Sequence, residues 1–257
     1  MKCLHMSGAG NDFMVIDGRG LKADYEAMAK RLCAITGADG FMAVDDSECA
    51  DFRLHFYNSD GTRGEMCGNG ARCISKYAYD HGIAGEKMTI QTDAGIVPGQ
   101  RIAEERYRVW LNLPTVLEER ADVWYAELGN PGLPHAVLEV PELSWNDRDA
   151  LRDLAKKYRF CPEFPKGANV NFYRWLDEKT VRILTFERGV EDYTLACGTG
   201  SGATTAVLWK QGLLKDGVLS VRNPGGELTV TVEEAEGKIT ALTLEGPAVV
   251  LGEYDVE

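Results

Sequence analysis

Two short stretches carry the same pattern of chemically capable residues. Residues 65–73 read EMCGNGARC, and residues 195–203 read LACGTGSGA. Each sets a cysteine, Cys67 or Cys197, directly before Gly-x-Gly and a run able to open a helix. The first amides of a helix lack intrahelical partners, and the helix dipole adds positive potential there. A cysteine at that point has its thiolate stabilised, so its pKa falls toward neutrality. Glycines remove side-chain bulk and let backbone amides close on an anion. Cys67 with Gly68, Asn69 and Gly70 fits this description, as does Cys197 with Gly198, Thr199 and Gly200. Each loop offers a reactive sulfur beside a cradle for a small carboxylate or phosphate.

A single turn of this kind reads more readily as a buried thiol at a helix start. Two in matching positions weigh toward function. A hydrolase needs one nucleophile and one base. A redox dithiol needs its sulfurs to meet. Inverting a carbon centre needs a base on one face and an acid on the other. Two thiols suit that task, and reversing the reaction only exchanges their roles.

The elements that must hold these loops repeat. An alternating strand from Asp51 ends at Ser59-Asp60-Gly61, and a helix over 68–81 follows, closed by Gly82. A strand from Val181 leads to a helix over 198–210, closed by Gly212. Short strands follow each helix, and each half adds a helix, over 25–35 and 147–159. This order predicts an α+β fold of two equivalent domains with a cleft between them. The boundaries expected are 1–115, completed by a terminal strand over 247–257, and 116–246. The segment LPTVLEERADV from Leu113 is expected to be the crossover, and VEEAEG from Val232 a solvated turn.

Composition narrows the function class. The chain has 257 residues and a formal net charge of −12, so it repels phosphate backbones and no nucleic acid is expected. No apolar run is long enough to cross a bilayer, so no membrane partner is expected. The opening MKCLHMSGAGND lacks the apolar core of a signal peptide, and a cytoplasmic protein is expected. Seven scattered cysteines form no evident disulfide framework, and without CxxC or a His-rich tract no metal is expected. Cys3, Cys33, Cys49 and Cys161 read as small buried apolar residues. Arg72 and Cys73 read as helix residues without chemistry. No lysine signature for pyridoxal phosphate stands out, and no cofactor is expected.

Read together, several motifs identify the chain as resembling the cofactor-independent diaminopimelate epimerases. They are SGAGNDF (7–13), GADG (37–40), YNSDG (57–61), MCGNGARC (66–73), NVNF (169–172), ERG (187–189), ACGTGSG (196–202) and EGPAVVLGE (245–253). The resemblance runs nearly end to end. It implies two mirrored domains, each a curved, mostly antiparallel sheet around a central helix, with the site between them. It implies a small amino acid as substrate, interconversion of LL- and meso-diaminopimelate, and a place in lysine and cell-wall precursor synthesis. Self-association into a homodimer stays open. By the same resemblance Cys67 and Cys197 are the two acid/bases. Gly68, Asn69, Gly198 and Thr199 cradle the α-carboxylate, with Asn11 as a further polar contact. Glu187 assists the second cysteine and binds the α-ammonium, and His135 assists the first. Asn58, Asn169 and Arg188 grip the far end of the substrate.

One stretch departs from the pattern. The family reads Gly-Asn-Pro-His, whereas here Asn130-Pro131 and Pro134-His135 are separated in GNPGLPHAV. That leaves a racemase of another amino acid, such as histidine, as an alternative. A Cys67/His135 hydrolase or transferase and a non-catalytic carboxylate-binding module are further alternatives, and neither uses Cys197 as a second acid/base.

Overall fold

The computed structural model describes residues 1–146 and 148–256, so Asp147, the expected start of one helix, lies outside the described residues. The chain forms β1 (Lys2–Ser7), β2 (Asp12–Asp17), α1 (Tyr25–Thr36), β3 (Gly40–Asp45), β4 (Phe52–Asn58), β5 (Arg63–Gly64), α2 (Gly68–Asp80), β6 (Lys87–Thr92), β7 (Gly95–Ala103) and β8 (Arg106–Trp110). It continues through β9 (Pro114–Arg120), β10 (Val123–Leu128), β11 (Leu133–Glu139), a 3-10 turn (Arg148–Leu151), α3 (Arg152–Arg159), β12 (Asn169–Asp177) and β13 (Thr180–Glu187). The last elements are β14 (Asp192–Tyr193), α4 (Gly198–Lys210), β15 (Val218–Asn223), β16 (Gly226–Ala235), β17 (Lys238–Pro247) and β18 (Val249–Asp255). Two compact units result: Met1–Trp110 joined by the residues from Glu245 onward, and Leu111–Leu244.

Within the first unit, β18, β1, β2, β3, β4, β6, β7 and β8 pair in that order. The contacts run antiparallel, antiparallel, parallel, antiparallel, parallel, antiparallel and antiparallel. Within the second, β9, β10, β11, β12, β13, β15 and β16 pair in order. Their contacts run antiparallel, antiparallel, parallel, antiparallel, parallel and antiparallel. Parallel neighbours cannot be joined by a hairpin and need a crossover. A helix supplies each one: α1 and α2 in the first unit, α3 and α4 in the second. The same path is therefore drawn twice, and the expected mixed, largely antiparallel fold is present.

In each unit the second helix lies against several strands. α2 packs on β1, β2, β3, β7 and β8, and α4 on β9, β10, β11, β12, β15 and β16. Every residue of α2 from Gly68 to Ala78 is buried. A helix enclosed on all sides must satisfy its polar side chains internally. Ser75 does so by donating to the Ala71 carbonyl at 2.7 Å, and Ser201 and Thr205 of α4 donate to Cys197 and Ser201 carbonyls at 3.0 and 2.8 Å, whereas the buried Thr204 Oγ1 has no partner among the described residues. Small residues let neighbours come close: a Cβ on Gly202 would stand 2.6 Å from Leu111 Cδ1.

Several expectations need correction. The segment from Leu113 is not a bare crossover, because Pro114–Arg120 forms β9 and pairs with β10. Pro114 heads the strand, where its missing N–H does least harm. The strand β16 runs on to Ala235, and the turn at Val232 shrinks to Glu236 and Gly237, both at positive φ. Cys49 is exposed and Cys161 half-buried, unlike the fully buried Cys3 and Cys33. The helix expected to end at Arg159 opens as the 3-10 turn and becomes α-helical only at Arg152.

Candidate active site

In the first unit Cys67 is the N-cap of α2, with φ −132° and ψ 123°. Its Sγ donates to Asn11 Oδ1 at 3.5 Å. Asn11 Nδ2 donates in turn to Asp39 Oδ2 at 2.7 Å, and the Asp12 amide donates to the same oxygen at 2.8 Å. The loop that carries Asn11 turns through Ala9 and Gly10, both at positive φ. It presses on the first turn of α2 at Gly8, where a Cβ would meet the Asn69 carbonyl at 2.7 Å. That close approach explains the first glycine in SGAG.

Asn69 is 2% exposed, and its Oδ1 accepts from Arg72 Nη2 at 3.0 Å. Arg72 is fully buried, and it also donates to the Gly68 and Pro247 carbonyls, each at 3.2 Å. Burial pulls the guanidinium down to about 10, so it stays charged at neutral pH. Cys73, one residue on, is pushed up to about 12 by burial and is inert as a thiolate. Asn58 is exposed at the end of β4, where its Nδ2 donates to Thr62 Oγ1 at 2.9 Å.

In the second unit Cys197 is the N-cap of α4, and its Sγ accepts from the Gly200 amide at 3.3 Å. Thr199 Oγ1 lies 3.5 Å from the same sulfur. Asn169 is buried on β12, and its Oδ1 accepts the Arg188 amide at 2.8 Å. The Arg188 guanidinium donates to the Lys166 carbonyl at 3.0 Å. Glu187 ends β13 half-buried, and burial raises its carboxyl above the ordinary range. His135 of β11 is completely buried, and burial first, the Arg188 charge second, lowers it to about 3. Its Nδ1 lies 3.3 Å from Asn171 Nδ2. Gly129 to Gly132 form the turn between β10 and β11, and Asn130 is exposed there.

Each unit thus brings a cysteine to the start of an enclosed helix, beside buried polar side chains. The diaminopimelate epimerase family profile matches residues 3–109 and 128–251. The chain belongs to the diaminopimelate epimerase family. A diaminopimelate epimerase of Aquifex aeolicus is 37% identical, over 92% of this chain and 91% of its own. One from Archaeoglobus fulgidus is 36% identical, over 91% and 90%. Among solved structures, a Bacillus anthracis PhzF-family phenazine biosynthesis protein superposes with a TM-score of 0.77 at 19% identity, covering 100% of this chain and 99% of its own. A probable proline racemase from Agrobacterium radiobacter gives 0.70 at 18%, covering 100% and 92%. At those identities the two structures share the fold with this diaminopimelate epimerase family member. The stretch that the family profile skips, 110–127, contains β9, the strand that the sequence reading took for a crossover.

Three polar residues of this family member escaped the sequence reading. Asp39 orients Asn11, and its place inside GADG was the available signal. Asn171 follows Asn169 by two on one strand, so both face the same side, which strand alternation could have shown. Arg72 reads from sequence as a helix residue without chemistry, although it stands inside MCGNGARC; only the fold shows that its guanidinium turns back to the first turn of α2.

Proposed function

We propose that this chain is a pyridoxal-independent epimerase that interconverts LL- and meso-diaminopimelate with Cys67 and Cys197 as its two acid/bases. The observation that carries the reading is the repeated placement of a cysteine as N-cap of an enclosed helix, once in each unit. Family membership supplies the substrate class, a small amino acid, and the isomerase chemistry.

The α-proton of an amino acid is weakly acidic, because the adjacent carboxylate already carries charge. The amides of Gly68, Asn69, Gly198 and Thr199 would hold that carboxylate and the charge that builds as the proton leaves. One thiolate takes the α-proton while the other thiol delivers one to the opposite face. Asn11, held by Asp39, fixes the Cys67 sulfhydryl. Glu187 receives the α-ammonium, and His135 supports the reacting end. We assign the distal grip to Asn58, Asn169 and Arg188 and not to Asn130, which lies exposed in the turn ahead of His135. The two units serve as the family's two domains, and the reading places the protein in the cytoplasm.

Cys67→Ser and Cys197→Ser test this. Each should lower epimerisation of LL-diaminopimelate at least about 100-fold, the scale of acid–base catalysis. Retention of most activity by Cys197→Ser would leave a one-thiol mechanism and defeat the proposal.

A further inference from the structure

The two units can be compared position by position through their strand registers. In the first unit Phe13 pairs with Gly40 and Met42 with Phe56. In the second His135 pairs with Asn169 and Asn171 with Thr185. Phe13, Met42 and Phe56 therefore correspond to His135, Asn171 and Thr185. The helix glycines agree: a Cβ on Gly70 would meet Met42 and Phe13, and one on Gly200 would meet Asn171 and Thr185. The first unit fills this place with two phenyl rings, packed edge to face with centroids 6.0 Å apart, and a thioether. The second fills it with imidazole, amide and hydroxyl, all buried. The apolar trio shows that the architecture needs no polar group there. Burying three of them costs stability unless each is partnered.

Two of the three are fully engaged. Thr185 Oγ1 donates to Asn171 Oδ1 at 3.0 Å. Asn171 Nδ2 donates to the Ala136 carbonyl at 3.0 Å, which fixes which end of the amide carries the nitrogen. Its second hydrogen points to His135 Nδ1 at 3.3 Å. That nitrogen must then accept, so the ring proton of the neutral imidazole sits on Nε2. His135 Nε2 is buried and has no hydrogen-bond partner among the described residues.

We propose that Asn171 is a positioning residue that locks His135 as the Nε2–H tautomer, making the histidine a hydrogen-bond donor to an anionic acceptor and not a general base. The proposal deepens the reading given under Proposed function and rests on it for the acceptor, a substrate carboxylate or a cysteine thiolate. His135 then assists by offering a proton in a hydrogen bond that it never gives up. Its Nδ1 lone pair is spent on Asn171, and no free basic nitrogen remains.

Nitrogen-15 NMR of histidine-labelled protein without substrate tests the tautomer. His135→Phe identifies the resonances that belong to residue 135. The expected result at neutral pH is one form, with a protonated-type Nε2 and an unprotonated-type Nδ1. Asn171→Met should admit the Nδ1–H tautomer and lower kcat by at least about tenfold, with KM changing less. The double variant His135→Phe/Asn171→Met copies two of the first unit's three apolar residues. It should fold with native circular dichroism and show the same or a larger loss of kcat. An Nδ1–H tautomer or an imidazolium in the wild-type protein would overturn the proposal. So would Asn171→Met that keeps both the tautomer and kcat, or that loses kcat with the tautomer unchanged. Should the wild-type protein show no epimerase activity, the function assigned above fails, while the tautomer in the spectrum still decides this proposal.

Discussion

Acidification should cost this protein stability through one side chain. His135 is wholly buried and titrates near 3 in the folded chain, against about 6.5 when exposed on unfolding. Because the folded pKa is the lower, the unfolded state binds more protons once pH falls below about 6.5. Stability is fully present above that pH and is lost as pH falls toward 3. At pH 5 the unfolded imidazole is about 1.5 pH units below its midpoint, which amounts to about 2 kcal/mol at about 1.4 kcal/mol per unit. Urea unfolding at the two pH values, followed by circular dichroism, reads this loss. The double variant His135→Phe/Asn171→Met lacks the buried titrating group, so its loss over the same interval should be smaller by about 2 kcal/mol. The stabilised carboxylates, such as Asp17 and Glu191, are held below their ordinary values and act at lower pH, in both proteins alike. An equal loss in wild type and variant would refute the reasoning, because His135 would then not be held neutral by burial.

Other perturbations follow from the same geometry. Gly200→Ala places a Cβ 2.2 Å from Asn171 Oδ1 and should destabilise by about 1–3 kcal/mol. Gly70→Ala meets nothing nearer than the Met42 sulfur at 3.2 Å and should be close to neutral by the same denaturation measurement. Arg72→Met strips donors from the Asn69 side chain and the Gly68 and Pro247 carbonyls, and should lower stability by at least about 2 kcal/mol in urea. Iodoacetamide followed by peptide mass spectrometry should modify the exposed Cys49 in the native protein. Cys3, Cys33 and Cys73, buried and pushed up to about 12, 11 and 12, should stay unmodified until unfolding.

The two enclosed helices were legible because their signals are local. Cysteine and glycines open each one, and Gly82 and Gly212, both at positive φ, stand just past each end. Their neighbouring strands were legible from alternation, as at Phe52–Asn58. β9 was not, because its charged, half-exposed residues after a proline resemble a connecting loop. The parallel pairings were out of reach for a different reason. Register between strands separated in sequence by a whole helix is set by the helices packed across them, and no single segment encodes it. The same holds for His135, Asn171 and Thr185. Each lies on a different strand, and only the pairing of β11 with β12 and of β12 with β13 makes one network of them. Cys49 was misjudged because cysteine composition favours burial, whereas here it sits in a turn whose amides bond to Ser47 Oγ.

Incubating reduced protein with LL-diaminopimelate in D2O, and following the α-proton by NMR, tests the central claim most directly. The account expects loss of the α-proton signal together with the appearance of the meso isomer, in the absence of any added cofactor. L-Histidine, L-ornithine and L-lysine, run in parallel, should keep their α-protons. An unchanged α-proton in LL-diaminopimelate, with exchange in one of the other amino acids, would contradict the assigned substrate. No exchange in any of them would contradict the two-thiol epimerase itself.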